Sequence, residues 1–228
     1  MGIRRRGFLL GAAAGLVGCA KEEKRAEPTA ASAPAPVVAP TPVAADDRPA
    51  IVAFGDSLTA GFGLDPGQSY ADFLQKELDR RGVRFHVVNQ GISGDTTDGG
   101  VSRIEAAVSL KPRVVILELG ANDGLRGLPL EASRANLAEM IGAFQKAGAK
   151  VLLCGMTLPR NYGPDYIRGF ERIFSELARE KKTALMPFFL QDVATNPKLM
   201  QRDAMHPTAE GCRRVAANMM PHLMPLLK

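Results

Sequence analysis

The sequence predicts an α/β fold, a three-layer α/β/α sandwich built on a five-stranded parallel sheet. Three observations carry that expectation: five short apolar runs alternate with segments of helical spacing, the inner runs are continuously apolar, and polar glycine-containing loops follow the runs. Strand and helix alternating at this spacing imply right-handed crossovers, with helices covering both faces of a parallel sheet.

The apolar runs are Ile51–Phe54, Arg84–Asn89, Arg113–Leu119, Lys150–Cys154 and Ala184–Phe188. The stretches "RVVILELG" and "KVLLC" do not alternate, as expected of strands buried on both sides. Helical segments fall between them at Tyr70–Arg81, Thr97–Ser109, Glu131–Ala147 and Asp165–Lys181, and a last one covers Ala209–Leu227. In the third, Leu137, Met140, Ile141 and Phe144 recur at i, i+3, i+4 and i+7, one apolar stripe on a helix.

The segment before the first run has a different character. Arg4, Arg5 and Arg6 precede "GFLLGAAAGLVGC", a basic stretch followed by an apolar run too short to span a membrane as a stable helix, which reads as a signal peptide over 1–18. Arg5-Arg6-Gly7-Phe8-Leu9-Leu10 resembles a twin-arginine export motif, and Leu16-Val17-Gly18-Cys19 resembles a lipobox whose cysteine is lipidated after cleavage. Lipidated Cys19 would anchor the protein to a membrane without spanning it, and Ala20 favours the outer membrane. Residues 19–49 then form a charged and Ala/Pro-rich tether without periodicity, so the folded domain is expected over 50–228. The expected location is exported and periplasm-facing. Loss of the three N-terminal arginines lowers the formal charge of the 228-residue chain from +5 to +2, which is no nucleic-acid footprint. An exported compartment permits a disulfide between Cys154 and Cys212, but Cys154 ends a strand and Cys212 lies in a helix, so buried free thiols without metal-ligand spacing are the expectation.

In a parallel sheet, chemistry gathers beyond the carboxyl ends of the strands. The first strand leads into Gly55-Asp56-Ser57, the second into "NQGISGDTT", the third into "GANDGLRG" and the fourth into "GMTLPRNYG". After the fifth, the chain reaches "RDAMHP" just before the last helix. A serine nucleophile needs a base. Of three histidines, His86 lies in a strand and His222 in a helix, whereas His206 follows Asp203 by three residues. Asp203 at that spacing can hold Nδ1–H and leave Nε2 as the base, although a turn or cap residue would read the same way. An oxyanion also needs preorganised donors. Ser57 N–H, if the serine opens a helix, a loop glycine (Gly94 or Gly91) and the Asn122 side-chain amide are the available groups.

Gly-Asp-Ser, the loop glycine, Gly-x-Asn-Asp and Asp-x-x-His, in this order, resemble the four signature blocks of the SGNH (GDSL) hydrolases. The resemblance runs from Ile51 to the C-terminus and is strongest to their bacterial arylesterase, thioesterase and lysophospholipase branch, through "VVNQGISGDTT", "ELGANDGLRGLP", "LPRNYG", "MPFFL" and "DAMHP". It implies a flavodoxin-like sheet, Ser57 as nucleophile, His206 as base, Asp203 as orienting acid, and an oxyanion hole of Ser57, Gly94 and Asn122. Asp56 would shape the nucleophile turn and Asp123 would support Asn122. The implied reaction is hydrolysis of esters and thioesters through an acyl-enzyme, with no metal and no cofactor. Leu125, Leu128, Leu158 and Pro159 would line an acyl groove, or else anchor their loops. The expected partners are a small-molecule acyl ester or lysophospholipid and, through Cys19, a membrane, with the protein acting as a monomer. A carbohydrate O-deacetylase and a non-catalytic lipid-anchored binding protein are the alternative readings.

Overall fold

The computed structural model describes residues 46–228. The basic N-terminus, Cys19 and most of the Ala/Pro-rich stretch lie outside the described residues, so the expectations placed on them are not addressed by it. Five parallel strands form one sheet in the order β2-β1-β3-β4-β5. They are β1 (Ala50–Gly55), β2 (His86–Gly91), β3 (Val114–Glu118), β4 (Lys150–Cys154) and β5 (Ala184–Met186). This is the flavodoxin-like strand order, whose direction of winding reverses between β1 and β3.

Every residue of β1 and β3 is buried, which is why neither shows a polar alternation. The helices are α1 (Ser57–Ala60), α2 (Tyr70–Arg80), α3 (Thr97–Ser102), α4 (Ile104–Ser109), α5 (Ala121–Leu125), α6 (Leu130–Lys146), α7 (Pro164–Glu180) and α8 (Ala209–Leu223). Helices α2 and α8 pack together, while α6 joins α3, α4 and α7. The expected stripe of Leu137, Met140, Ile141 and Phe144 is fully buried, and Phe144 meets Phe54 of β1 edge-on at 5.4 Å between ring centroids.

Four elements differ from the sequence expectation by more than one residue at an end or by an internal break. The second strand starts and ends two residues later, because Asn89-Gln90-Gly91 pairs with Ala53-Phe54-Gly55 despite its polarity. The fifth strand stops at Met186, ahead of Pro187, which has no N–H for the ladder. The segment expected as one helix over 97–109 breaks at Arg103, whose backbone leaves helical geometry at φ −120°. The last α-helix ends at Leu223 and tightens to a 3₁₀ turn over Met224–Leu227, where Pro225 removes a donor. Helices α1 and α5 fall in segments that the sequence reads as loops. Cys154 and Cys212 are buried free thiols, as expected; burial pushes Cys154 well up and Cys212 to about 11.

Candidate active site

β1 ends at Gly55, where a side chain would collide with the Thr59 hydroxyl and the Glu118 carbonyl. The chain can therefore turn tightly from the buried strand into α1. Asp56 caps that helix, its Oδ1 accepting from Leu58 N–H at 3.0 Å, which leaves Ser57 as the first helical residue. Ser57 has no positive φ, so the nucleophile turn lacks the strained serine of an α/β-hydrolase elbow.

His206 arrives from the other side of the cleft, on the segment between β5 and α8. A short antiparallel bridge between Met200 and Pro207 closes this segment into a loop. Asp203 organises its tip: Oδ1 accepts from Met205 N–H at 2.9 Å and His206 N–H at 3.0 Å, while Oδ2 lies 2.6 Å from His206 Nδ1. His206 Nε2 is 2.9 Å from Ser57 Oγ. Residues far apart in sequence thus meet in one hydrogen-bonded line, with the spacing that base-assisted nucleophilic attack requires. Burial raises the Asp203 carboxyl, but hydrogen bonds from the His206 ring, His206 N–H and Met205 N–H outweigh it and hold the group at about 2. Asp203 is therefore ionised at neutral pH and stabilises a positive imidazole beside it.

Gln201 was not singled out by sequence reasoning. Its Nε2 donates to Phe62 O at 2.8 Å and to Pro207 O at 2.9 Å, tying the histidine loop to the chain just after α1. The Phe62 ring packs against the His206 ring at 4.7 Å. No pattern in the sequence marks either contact, because both depend on a loop of irregular backbone.

The expected oxyanion donors lie around the same cleft, of about 260 Å³, whose walls include Ser57, Gly94, Asn122, Leu125 and His206. Ser57 N–H and Gly94 N–H have no acceptor among the described residues. Gly94 sits at φ +82°, a left-handed conformation open to glycine at little cost. Gly91, the other candidate, belongs to β2, where a side chain would collide with the α1 backbone at Ala60, and it does not line the cleft. Asn122 follows Gly120, which caps α5 at φ +112°. Its Nδ2 donates to Asp56 Oδ2 at 3.0 Å and to Asp95 O at 2.9 Å. Both amide hydrogens are engaged in this state, so an oxyanion would have to share one of them. Asp123 is buried and accepts from Thr97 N–H, Thr97 Oγ and Ser133 Oγ, which makes it a support for the Asn122 turn.

Two carboxyl groups lie under the Ser57 turn. Burial pushes Asp56 up to about 6, against the hydrogen bond from Leu58 N–H. Burial and then the Asp56 charge push Glu118 well above the usual carboxylate range. Glu118 Oε2 accepts from the Thr59 hydroxyl at 2.8 Å and Asp56 N–H at 3.4 Å, while Oε1 is buried without a partner. Burial therefore disfavours charge on both carboxyls, and more strongly on Glu118 than on Asp56.

A second cavity of about 300 Å³ adjoins the first, sharing Ala121, Leu125 and Met205 with it. Leu158 and Pro159 line it as expected, together with Phe188, Leu190 and Met200, which sequence reasoning did not assign. Leu128 lines neither cavity; it is exposed, and Tyr166 Oη donates to its carbonyl at 2.8 Å. A larger groove of about 440 Å³ along α7 is walled by Asp165, Arg168, Glu171, Arg172 and Ser175 and holds no nucleophile and base.

The model of the GDSL-like Lipase/Acylhydrolase family matches residues 53–214, which span the whole of this geometry from β1 into α8. The chain belongs to that family. As a GDSL-like hydrolase it is an ester-hydrolysing enzyme. The hydrolase is 45% identical over 178 residues to Esterase TesA of Pseudomonas aeruginosa, covering 78% of this chain and 89% of that one. It is 35% identical over 178 residues to Thioesterase 1/protease 1/lysophospholipase L1 of Escherichia coli, covering 78% and 84% respectively. A crystal structure of TesA superposes with a TM-score of 0.75 at 44% identity, covering 78% of this chain and 99% of that one.

Proposed function

We propose that this GDSL-like hydrolase cleaves carboxylic esters and thioesters of medium or long acyl groups, lysophospholipids included, through an acyl-enzyme on Ser57. The observation that carries the reading is the line from Asp203 Oδ2 through the His206 ring to Ser57 Oγ, at 2.6 and 2.9 Å. His206 takes the Ser57 proton as Oγ attacks the acyl carbonyl, and ionised Asp203 steadies the imidazolium. Ser57 N–H, Gly94 N–H and the Asn122 amide receive the oxyanion. His206 then protonates the leaving alcohol or thiol, and water repeats the sequence on the acyl-enzyme. The apolar cavity beyond Leu125 supports an acyl chain of some length and argues against an acetyl-specific enzyme. The names of the thioesterase and lysophospholipase relative support the breadth of substrate.

The test is a panel of p-nitrophenyl esters and acyl thioesters from two to sixteen carbons, with a fluorophosphonate probe. Ser57→Ala is expected to lose both turnover (by ~10⁴-fold or more) and labelling while keeping its melting temperature. Retained turnover sinks the assignment, and a preference for acetyl esters replaces it with an O-deacetylase.

We also propose that the enzyme is exported and carried on the outer membrane through lipidated Cys19, possessing a signal peptide over 1–18 and a tether over 19–49. The basic run, the short apolar run and Leu16-Val17-Gly18-Cys19 support this reading. Metabolic labelling with a radioactive fatty acid checks it: the parent is expected to be labelled and Cys19→Ser unlabelled. Equal labelling of the two overturns it.

A further inference from the structure

The three oxyanion donors assigned above come from three separate strand ends: Ser57 opens α1 after β1, Gly94 lies in the loop after β2, and Asn122 lies in α5 after β3. Their usefulness depends on mutual spacing, since misplacement by about 1 Å can cost ~10²-fold in rate. Main-chain pairing links only part of this rim, through Ile92 N–H to Gly55 O at 3.0 Å. The Asn122 amide links Asp56 Oδ2 to Asp95 O, while the Gly55 and Gln90 carbonyls and the Asp95 carboxylate face one another as acceptors. Acceptors cannot hold each other, so drawing these three together takes a side chain with several N–H groups.

Arg103 is that donor. Its Nη2 donates to Gly55 O at 2.8 Å, its Nη1 to Gln90 O at 2.8 Å and its Nε to Asp95 Oδ2 at 2.7 Å. The guanidinium carbon lies 3.8 Å from the Phe54 ring centroid, so the planar group is clamped between an aromatic face and the loop. Both ion-pair partners are mostly buried, with 13% and 11% of their side chains exposed. Two of the three bonds lead to the donors, and the third holds the guanidinium to the end of β2. Gly55 directly precedes the Asp56-Ser57 turn, Asp95 follows Gly94, and the Asp95 carbonyl receives Asn122 Nδ2. Gly99 makes room for the Asp95 carboxylate, since a side chain there would overlap Oδ1. The break between α3 and α4 falls at Arg103 itself, where the side chain turns back over the strand ends.

We infer that Arg103 is a positioning residue, which sets the spacing of the Ser57, Gly94 and Asn122 donors through one guanidinium bonded to Gly55, Gln90 and Asp95. It touches neither substrate nor reacting atoms. A purely structural need is a poor account of it: the β4 and β5 ends on the same rim are joined by backbone bonds alone, Gly155 N–H to Met186 O and Phe189 N–H to Gly155 O. Buried ion pairs contribute little net stability compared with apolar packing of similar volume, so the role assigned to this one is the geometry it holds. Lysine cannot replace the group, because its single ammonium cannot reach three acceptors in the plane of a fork.

The inference rests on the Ser57 acyl-enzyme reading, and the experiment separates the two. Arg103→Lys and Arg103→Ala are assayed for kcat, KM, rate of inactivation by a phosphonate ester and melting temperature. The expected result is a kcat lower by ~10- to 100-fold, a KM within about threefold, and a phosphonate inactivation rate that falls by the same factor as kcat, because both reactions build negative charge on the same oxygen. Millimolar guanidinium is expected to restore part of the kcat of Arg103→Ala. Should that variant fail to fold, Asp95→Asn takes its place, with an expected loss of about tenfold in kcat and an unchanged KM. Arg103→Lys or Asp95→Asn with kcat within twofold of the parent overturns the inference, as does guanidinium that raises the melting temperature without raising kcat. Slow labelling of Ser57 by a fluorophosphonate in Arg103→Lys leaves the acyl-enzyme reading standing whichever way the kinetics fall, whereas turnover by Ser57→Ala removes that reading.

Discussion

Two aspartates flank Ser57, and the molecule treats them in opposite ways. Asp56, its neighbour in sequence, is buried under the nucleophile turn, bonded to Leu58 N–H and Asn122 Nδ2, and pushed up to about 6. Asp203 comes from a distant loop, has a third of its side chain exposed, and is held down at about 2 by three hydrogen bonds. Adjacency in sequence does not select the partner of the base; the direction in which each carboxylate can point does. Both oxygens of Asp56 are occupied below the serine, whereas Asp203 faces the His206 ring across one turn.

Asp203→Asn gives the largest effect expected from breaking this contrast. The amide preserves the shape but presents a donor to one of the groups it must accept from, so kcat is expected to fall by ~10³- to 10⁴-fold with KM little changed. Steady-state kinetics on a p-nitrophenyl ester measure it, and a loss below tenfold removes Asp203 from the triad. Asp56→Asn is the smaller break. Its amide can still cap α1 but no longer holds Asn122 as a carboxylate does, and kcat is expected to fall by about 10²-fold, the scale of one oxyanion donor. A loss as large as that of Asp203→Asn would erase the distinction drawn here.

The smallest effect concerns stability, and it sharpens the contrast through its sign. The Asp56 carboxyl has a higher pKa folded (about 6) than its ordinary 3.8, so the folded protein holds that proton more tightly. Its contribution is present below the ordinary value and is lost as pH rises from 3.8 through about 6. Asp203 acts in the reverse sense: its contribution is present above 3.8 and is lost as pH falls towards about 2. Melting curves between pH 4 and 6.5 are expected to show a slope in the parent that flattens by a few degrees in Asp56→Asn. An unchanged slope in that variant means that another group carries the titration.

Most of the architecture was legible because it depends on local patterns. Uninterrupted aliphatic runs announce doubly covered strands, and the Leu137, Met140, Ile141 and Phe144 stripe announces α6. Ser57, Asn122, Asp203 and His206 were legible because each follows a strand or precedes a helix. Features set by tertiary contacts were not. Arg103 ends a helix that its sequence would continue, since its guanidinium has three acceptors at the sheet rim. The second strand extends through polar residues because the neighbouring strand supplies the ladder partners. Met200, Phe188 and Gln201 occupy a loop without periodicity, where neither apolar spacing nor turn chemistry signals a function.

The loop that carries His206 also contributes Ala194, Met200 and Met205 to the apolar cavity. Leu158 and Pro159, after β4, make no hydrogen bond to the line of Asp203, His206 and Ser57, although Leu158 packs against Gly124 of α5. The two walls therefore differ in how freely they can diversify. A change to the first alters preference and chemistry together, whereas a change to the second alters preference and reaches the chemistry only through the packing of Leu158 on α5. Selection for a new substrate has a less coupled place to act, on the wall that does not carry its own base.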